Sequence, residues 1–546
     1  MEAALVTTPV DIRLDGVRER VLARHRVEAA ATQQRPEVMI CDKQWQLVAY
    51  VQGEIDADFE EIANDTGEGD LTLPGRHKLV KWLLTKQRWP EDVHIIVQTP
   101  YKRWAGKCDS IKRVIAAGEM VAVRLHFLHD YDRAKHLECY ATPGSPAEFQ
   151  PIKAMPWVGP SVTGVNTYGL MNMWRVQMGI DSFPDDILAG MGMFDDYLPQ
   201  DWWTSMVPNN PLVDTSRWTA MSARFPMFHD LVLPTLQDGG LHLSVQRWMP
   251  GDPPIPGLNL SGEHSVRVFK TIDKSGYQGF TGTLADGLLN FVGVMAEDFI
   301  NEVSQEMSRT VPDEYKLPGI FGTVKSTPAI VIPEGNLTPL SSSTMTLHKA
   351  IAYAMVTGGK SPQWVNSLAK LAANAALGWL GATIGNSGLA LGVFDFLVED
   401  TILAFHRIPN PVRKAMMGPD ANWEQWVQGP GVGFTLSTLQ AIRTGFWDTR
   451  YYTSFEAELD PAALPWKLGK HFDLMDRIAF EIADQLYVDH VTKWGVKWSA
   501  SEPVTHRLTI GDGRAEESPA AKMQRYKESI LTLIQQQGVL SDGGTV

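Results

Sequence analysis

Between Trp45 and Asp65 apolar and acidic residues trade places at nearly every step. Trp45, Leu47, Ala49, Val51, Ile55, Ala57 and Phe59 fall on one parity, with Gly53 among them, while Gln52, Glu54, Asp56, Asp58 and Glu60 fall on the other. A two-residue period buries one row and wets the other, so the pattern predicts one long half-buried strand or a bent pair. Glu54, Asp56, Asp58 and Glu60 then stand about 7 Å apart along the wet face. No cation alternates with them. Asn64–Asp70 reads as a turn and Leu71–Pro74 as a short return strand.

The same reading divides the rest of the chain. Residues 1–36 form a helical arm, basic and amphipathic over Asp11–Glu28, and a polar linker. Residues 37–143 alternate as strands, with a short helix at His77–Leu84 and an antiparallel meander over Val93–Gln98, Lys102–Val114 and Met120–Leu128. Residues 144–235 are rich in Pro, Gly, Met and Trp with poor periodicity, which predicts a long irregular excursion packed on a neighbour. Strand pattern returns in 236–283, at Leu241–Trp248 and Val266–Ile272.

From Leu284 the pattern turns helical and apolar, and 284–440 reads as a helical insertion. Leu371–Phe394 contains no charge at all, a length that would license a membrane span. Asn374, the Gly385–Gly388 turn and the glycines of that run argue instead for an apolar helical hairpin over 364–406. Leu371, Leu377, Trp379, Leu380, Ile384, Leu389, Leu391 and Phe394 would form its surface, either at a subunit interface or in a membrane. Residues 441–513 are strand-rich again, and 514–546 end in a helix and tail. The fold class is therefore α+β.

Composition narrows the function. A chain of 546 residues holds several domains, and a net charge of −14 argues against a duplex-DNA binder, which needs Lys and Arg for phosphates. Eighteen Trp residues suit broad contact surfaces as well as cores. Cys41, Cys108 and Cys139 are odd in number and lack zinc spacing, so buried free thiols are expected. Met1–Val10 shows no basic region followed by an apolar run, so no secretory signal is expected and synthesis takes place in a cytoplasm.

No catalytic signature emerges. His126, His129, Asp130, Asp132 and His136 cluster in sequence, but on a strand His126 and His129 face opposite sides, and zinc needs convergent ligands. The acidic row is too straight for a calcium loop and cannot by itself make a glycosidase pair. G-x-S-x-G, H-E-x-x-H, P-loop and dinucleotide fingerprints are absent, Gly429–Gly433 reads as a hinge, and Glu263-His264-Ser265 is a chance adjacency. The expectation is no enzyme, no cofactor and no metal.

Several stretches, in order along nearly the whole chain, resemble the hub-type minor tail proteins at the tail tip of siphoviruses that infect actinobacteria. They are "FEEIANDTGEGDLTLP" within Trp45–Pro74, "VRLHFLHDYDRAKHLECYA" from Val123, "LHLSVQRWMPGDPP" from Leu241, "FKTIDKSGYQGFTGTLADGLLNF" from Phe269, the apolar hairpin, "LSTLQAIRTGFWDTR" from Leu436 and "HRLTIGDG" near the end. The resemblance implies β-barrel-like hub domains with a large helical, apolar insertion and a C-terminal helix. It implies a structural virion protein made in the bacterial host cytoplasm, acting at the tail tip in host attachment and genome delivery. It also implies a homotrimer that closes the tail tube and contacts the distal tail protein, the tape-measure protein and other minor tail proteins.

Phage DNA would pass through without specific binding. An acidic row of Glu54, Asp56, Asp58 and Glu60 facing that lumen would repel its phosphates, whereas on an outer face it is merely solvated. The competing classes are a tail-associated cell-wall hydrolase, a tip protein whose hairpin makes transient host-membrane contact, and an integral membrane protein.

Overall fold

The computed structural model describes residues 34–178, 202–278, 340–360, 405–432, 449–459, 466–482 and 485–511. It adds Ala23, Val27, Thr283, Ala285, 323–324, 330–332 and 445–446. Seven strands come first: β1 (Glu37–Cys41), β2 (Leu47–Val51), β3 (Asp56–Ile62), β4 (Glu68–Pro74), β5 (His94–Gln98), β6 (Arg103–Ala116) and β7 (Glu119–His129), with helix α1 (Lys78–Leu83) after β4. The opening alternation is a bent pair. Gly53 takes φ +83° between β2 and β3, and beyond the bend the buried row stays on the parity of Val51. Ala57 and Phe59 keep the core side, but Ile55 and Leu47, expected inside, are 41% and 48% exposed. Leu47 lies on β2, the edge strand of the sheet.

Next come β8 (Met155–Pro160), α2 (Ser161–Gln177), β9 (Thr204–Met206), β10 (Trp218–Ala223), α3 (Phe228–Gly239), β11 (Leu241–Trp248) and β12 (Val266–Asp273). Within 144–235, expected to be irregular, the structure thus places two helices and three strands. The short pair β13 (Tyr277–Gln278) and β14 (Thr323–Val324) follows, then β15 (Ile330–Ile332), β16 (Leu340–His348), β17 (Ala354–Lys360), β18 (Phe405–Pro409), α4 (Pro411–Met417), β19 (Gln425–Val432), β20 (Tyr452–Leu459), β21 (Arg477–Ile482), β22 (Gln485–Ser499) and β23 (Thr505–Ile510). Inside the expected helical insertion the described residues are therefore mostly strand. The hairpin residues Leu371, Leu377, Trp379, Leu380, Ile384, Leu389, Leu391 and Phe394 lie outside the described residues, as does the expected C-terminal helix and tail at 514–546.

Thirteen strands make one sheet. Its path runs β16-β20-β23-β22-β3-β4-β7-β6-β5-β1-β2, and β21 with β15 joins through the first half of β22. β3, the second half of the opening alternation, thus pairs with β4 on one side and, across more than four hundred residues, with β22 on the other. Val38 and Ile40 of β1 share a single apolar cluster with Ile332, Ile478, Leu508 and Ile510 near the other end. Distant strands meet around one core only if the sheet curls, and this one forms a half-barrel. Trp104, Trp494, Trp498 and Phe59 fill the middle, Phe59 lying 5.0 Å from Trp104 and 5.8 Å from Trp498 between ring centroids. Gly69 and Gly106 leave room for those rings, since a Cβ at either would strike Phe59 or Trp104.

A second core gathers α2, α3 and the sheet β11-β12-β9 with the pair β8–β10. Pro160, which precedes α2, has no side chain to cap the helix. Asp214 and Ser216 do so from another strand's approach, Asp214 Oδ2 accepting from Thr163 N at 2.8 Å and Ser216 Oγ from Val162 N at 3.0 Å. A third, smaller unit is the sheet β18-β17-β19 with α4, whose buried Arg413 donates to the carbonyls of Ala352 and Phe446. Among the described residues no helix is long and apolar enough to cross a membrane.

Candidate assembly face and the charged seam behind it

On the convex side of the half-barrel, β22 and β23 lie beside β3, and β4 and β7 lie on its other flank. Register decides who meets whom. Lys497 stands opposite Asp58, Gly495 opposite Glu60, and Arg507 opposite Gly495. Because Gly495 has no side chain, Arg507 reaches over it to an ion pair with Asp58, while Lys493 holds Glu60 at 2.6 Å. The acidic row expected to be bare therefore has its cations on β22 and on β23 beyond it. Repulsion of DNA needs uncompensated charge, so the DNA-repelling wall loses its physical ground at Asp58 and Glu60.

Glu54 leaves the row altogether. The bend at Gly53 turns it inward, where it is 5% exposed and accepts from Trp498 Nε1 at 2.7 Å, with Arg35 at 3.5 Å. What remains without a Lys or Arg among the described residues is Asp56 and, on β4, Glu68 and Asp70. His126 Nδ1 sits 2.9 Å from Asp70.

Behind this face, where the half-barrel meets the second module, charges are buried. Arg247 of β11 donates through Nε at 2.8 Å and through a terminal nitrogen at 2.7 Å to Asp130, and Arg267 of β12 adds a contact at 2.9 Å. Burial alone would raise the Asp130 carboxyl, but Arg247 and Arg267 outweigh it and hold the group well below the usual carboxylate range. The Arg247 guanidinium also lies 3.7 Å from the Trp45 ring centroid, and Trp45 stacks on His94 at 4.1 Å. A second cluster joins Lys102 to Glu61 at 3.0 Å and to Asp473 at 2.5 Å. Burial would lower Lys102, yet the two flanking carboxylates hold it above its ordinary value.

Asn64 completes the seam by imitating a strand edge. Its amide donates to Leu241 O and accepts from Leu243 N, both at 2.8 Å. Around these pairs burial pushes His94 down to about 4 and His129 and His242 to about 3. The seam is ionic and, at Asp130 and Arg247, almost wholly buried. It locks two modules; it offers no open acid–base pair to a substrate.

The histidine cluster is split by strand geometry, as its spacing implied. His126 is on the outer face beside Asp70, His129 is buried beneath, and His136 pairs with Asp132 at 3.2 Å. Among the described residues no three potential ligands converge on a metal position. Cys41 and Cys139 are buried and Cys108 partly so, all free thiols, with burial pushing Cys41 up to about 11 and the other two to about 12.

Sequence reasoning missed Arg247, Glu61, Lys102 and Asn64, though two of them carried a signal. Leu241, Leu243, Val245 and Arg247 share one parity, as do Ala57, Phe59 and Glu61. A charge on the apolar row of a strand must find a buried partner or leave the strand. Asp130, which the sequence offered only as part of the His/Asp cluster, is that partner for Arg247.

Comparison with known proteins places these features in a lineage. The family profile described as "Siphovirus ReqiPepy6 Gp37-like protein" matches residues 37–512. The minor tail protein Gp28 of Mycobacterium phage L5 is 26% identical, the alignment covering 89% of this chain and 91% of that protein. Its counterpart in Mycobacterium phage D29 is also 26% identical, over 92% of this chain and 95% of the relative. Among solved structures, the 43 kDa tail protein of prophage MuSo2 from Shewanella oneidensis aligns with 89% of this chain and 99% of its own, at 7% identity and a TM-score of 0.36.

Proposed function

The chain belongs to the siphovirus ReqiPepy6 Gp37-like family, and on that footing we propose that it is a structural minor tail protein of the virion, built into the tail tip as its central hub. The observation that carries this reading is the extent of the family match. It runs from β1 to the end of β23 and so takes in both ends of the half-barrel sheet, which no single local motif could do. In this reading the hub is a homotrimer that closes the tail tube, contacts the distal tail protein, the tape-measure protein and other minor tail proteins, and acts in host attachment and genome delivery. It catalyses no reaction. The curled sheet supports the role physically, because a half-barrel with a dry core is a stiff wall segment that several copies can arrange around an axis.

Gold-labelled antibody against the purified chain is expected to mark one end of the tail on intact virions. Label elsewhere, or none after mild tail disruption, overturns the placement. Clearing of peptidoglycan by the purified chain in a zymogram would instead support the hydrolase alternative.

A second reading concerns the uncharged run Leu371–Phe394. β17 and β18 are antiparallel neighbours, with Gly358 opposite Phe405, so the chain leaves and re-enters the small sheet at one place. A long apolar excursion on a paired base suits transient contact with the host membrane, and burial between subunits is the other use of the same residues. Sedimentation of the full chain with liposomes, with and without Leu377→Lys and Leu380→Lys, separates the two. Binding lost in the variants favours the membrane, and no binding by either protein removes it.

A further inference from the structure

In a chain of net charge −14, the segment from Gly75 to Trp89 carries Arg76, Lys78, Lys81, Lys86 and Arg88 and no carboxylate. Folding concentrates part of that charge. Helix α1 drives Leu79, Val80 and Leu83 into the half-barrel core, which turns Lys78 and Lys81, three positions apart, outward together. Arg76, Lys78 and Lys81 border an open cleft of about 670 Å³ whose lining contains no acidic residue. Its floor is fixed, because His77 Nδ1 accepts from Leu79 N at 3.3 Å and His77 Nε2 lies 3.2 Å from Gln52 O. Lys78 and Lys81 have no ion-pair partner among the described residues, and the contact of Arg76 with Glu119, at 3.4 Å, joins two almost fully exposed side chains.

The opposite arrangement stands on the other side of the same sheet. There Asp56, Glu68 and Asp70 have no Lys or Arg ion-pair partner among the described residues, and His126 lies 2.9 Å from Asp70 and 4.0 Å from Glu68. α1 packs on the core side and the acidic patch faces away from it, so one copy cannot bring its own cleft onto its own patch. We infer that the basic cleft of one copy receives the Asp56–Glu68–Asp70 patch of the next copy, in a head-to-tail contact repeated around the tail axis. The inference rests on the homo-oligomeric reading above and names the surfaces that build it.

Charge and shape both argue for this occupant. Copies that are strongly negative overall repel one another at long range, so association needs a local pair of opposite surfaces to set its register. Concave cationic meets convex anionic. Two unlike surfaces also give a heterologous contact, which closes into a ring when its rotation allows.

Sedimentation velocity on the full chain tests it, with circular dichroism to confirm that each variant folds. Lys78→Glu with Lys81→Glu is expected to weaken assembly more than about tenfold, and Glu68→Lys with Asp70→Lys to do the same. Combining all four restores opposite charges across every contact, and assembly should return. The contact is overturned if either reversed pair assembles like the wild type, or if the combined variant stays dissociated while folded. A wild-type chain that is a monomer at every concentration removes the oligomeric reading, and this contact with it. Should the cleft reversal leave assembly intact and abolish binding to inorganic polyphosphate, the cleft serves a polyanion and not a second copy.

Discussion

The half-barrel and the seam beneath it use the same chemical pair, a carboxylate and a guanidinium, in opposite surroundings. Asp58 and Arg507 meet on the outer face with both side chains about a third exposed. Asp130 and Arg247 meet at the module boundary with side chains 2% and 1% exposed. Water competes with the first pair and not with the second, so the first tunes a surface while the second fixes how two modules sit. The difference teaches that position in the fold, and not the identity of the pair, decides its energetic weight.

Breaking the buried side of this comparison should have the largest effect. Asp130→Ala leaves Arg247 and Arg267 facing each other without a counter-charge, and removal of one partner of a buried pair costs about 3–5 kcal/mol. Urea unfolding is the measurement. A loss below 1 kcal/mol would mean that water reaches the seam and that the modules are not locked by it. Restoring the site with a second change, Arg247→Met, should recover part of the loss, since a well-packed apolar group needs no partner.

The pH response comes next. His94 and His506 are pushed down to about 4, and His129 and His242 to about 3, in each case chiefly by burial. Unfolded, each titrates near its ordinary value of 6.5. Between those limits the unfolded chain binds more protons than the folded one, so stability falls as pH drops from 6.5 towards 4. Asp130 reinforces the trend further down, because its depressed folded value adds stability that is lost as pH falls below the ordinary carboxylate range. Three of the four histidines line the seam and one, His506, lies against Trp494 inside the sheet at 3.1 Å. Hydrogen exchange at pH 5 against pH 7.5 should therefore show the strands that carry the seam histidines, β5, β7 and β11, opening more than β3 and β4. Uniform acceleration across both modules would contradict the placement of the sensitive groups.

How much of this was legible in the sequence follows the same division. Strands β3, β7 and β12 were readable because each buries mainly one face, and a one-sided strand writes a two-residue period, whereas β5, buried on both faces, was readable as a short continuous apolar run. Helix α2 was not. Eleven of its seventeen residues are buried, among them Thr163, Asn166 and Asn172. A helix enclosed on most sides carries no amphipathic stripe, and its Gly, Thr and Asn residues are poor helix formers that tertiary contacts overrule. Helix α3 was hidden by Pro234 within it. The acidic row was legible as a pattern but not as a charge state, because Lys493 and Arg507 arrive from strands more than four hundred residues away. Local alternation fixes which face a residue takes; it says nothing about the neighbour.

Within the half-barrel, the tightest packing offers a smaller effect than the seam. Gly69 lies on β4 against Phe59 and Trp104, and an added methyl would collide with the Phe59 ring and come within 2.9 Å of Trp104. Gly69→Ala should therefore cost about 1–3 kcal/mol by overpacking, read as a lowered thermal midpoint. Gly118, with open space around the same hypothetical atom but φ +84°, makes a useful contrast. Gly118→Ala should cost about 1 kcal/mol through backbone strain alone. If Gly69→Ala proved harmless, the Trp and Phe cluster would be more yielding than its burial implies.

The smallest effect closes the comparison with which it began. A double-mutant cycle on Asp58→Asn and Arg507→Gln measures the exposed pair, and one on Asp130→Asn and Arg247→Gln measures the buried pair. The exposed coupling is expected to stay below about 1 kcal/mol, because partial hydration and salt weaken it and two long side chains lose freedom in forming it. It should shrink further in high salt. The buried coupling should be several times larger and nearly indifferent to salt, since no ions enter the seam. Equal couplings with equal salt dependence would show that burial does not separate these pairs, and the outer face would then be as much a structural lock as the seam is.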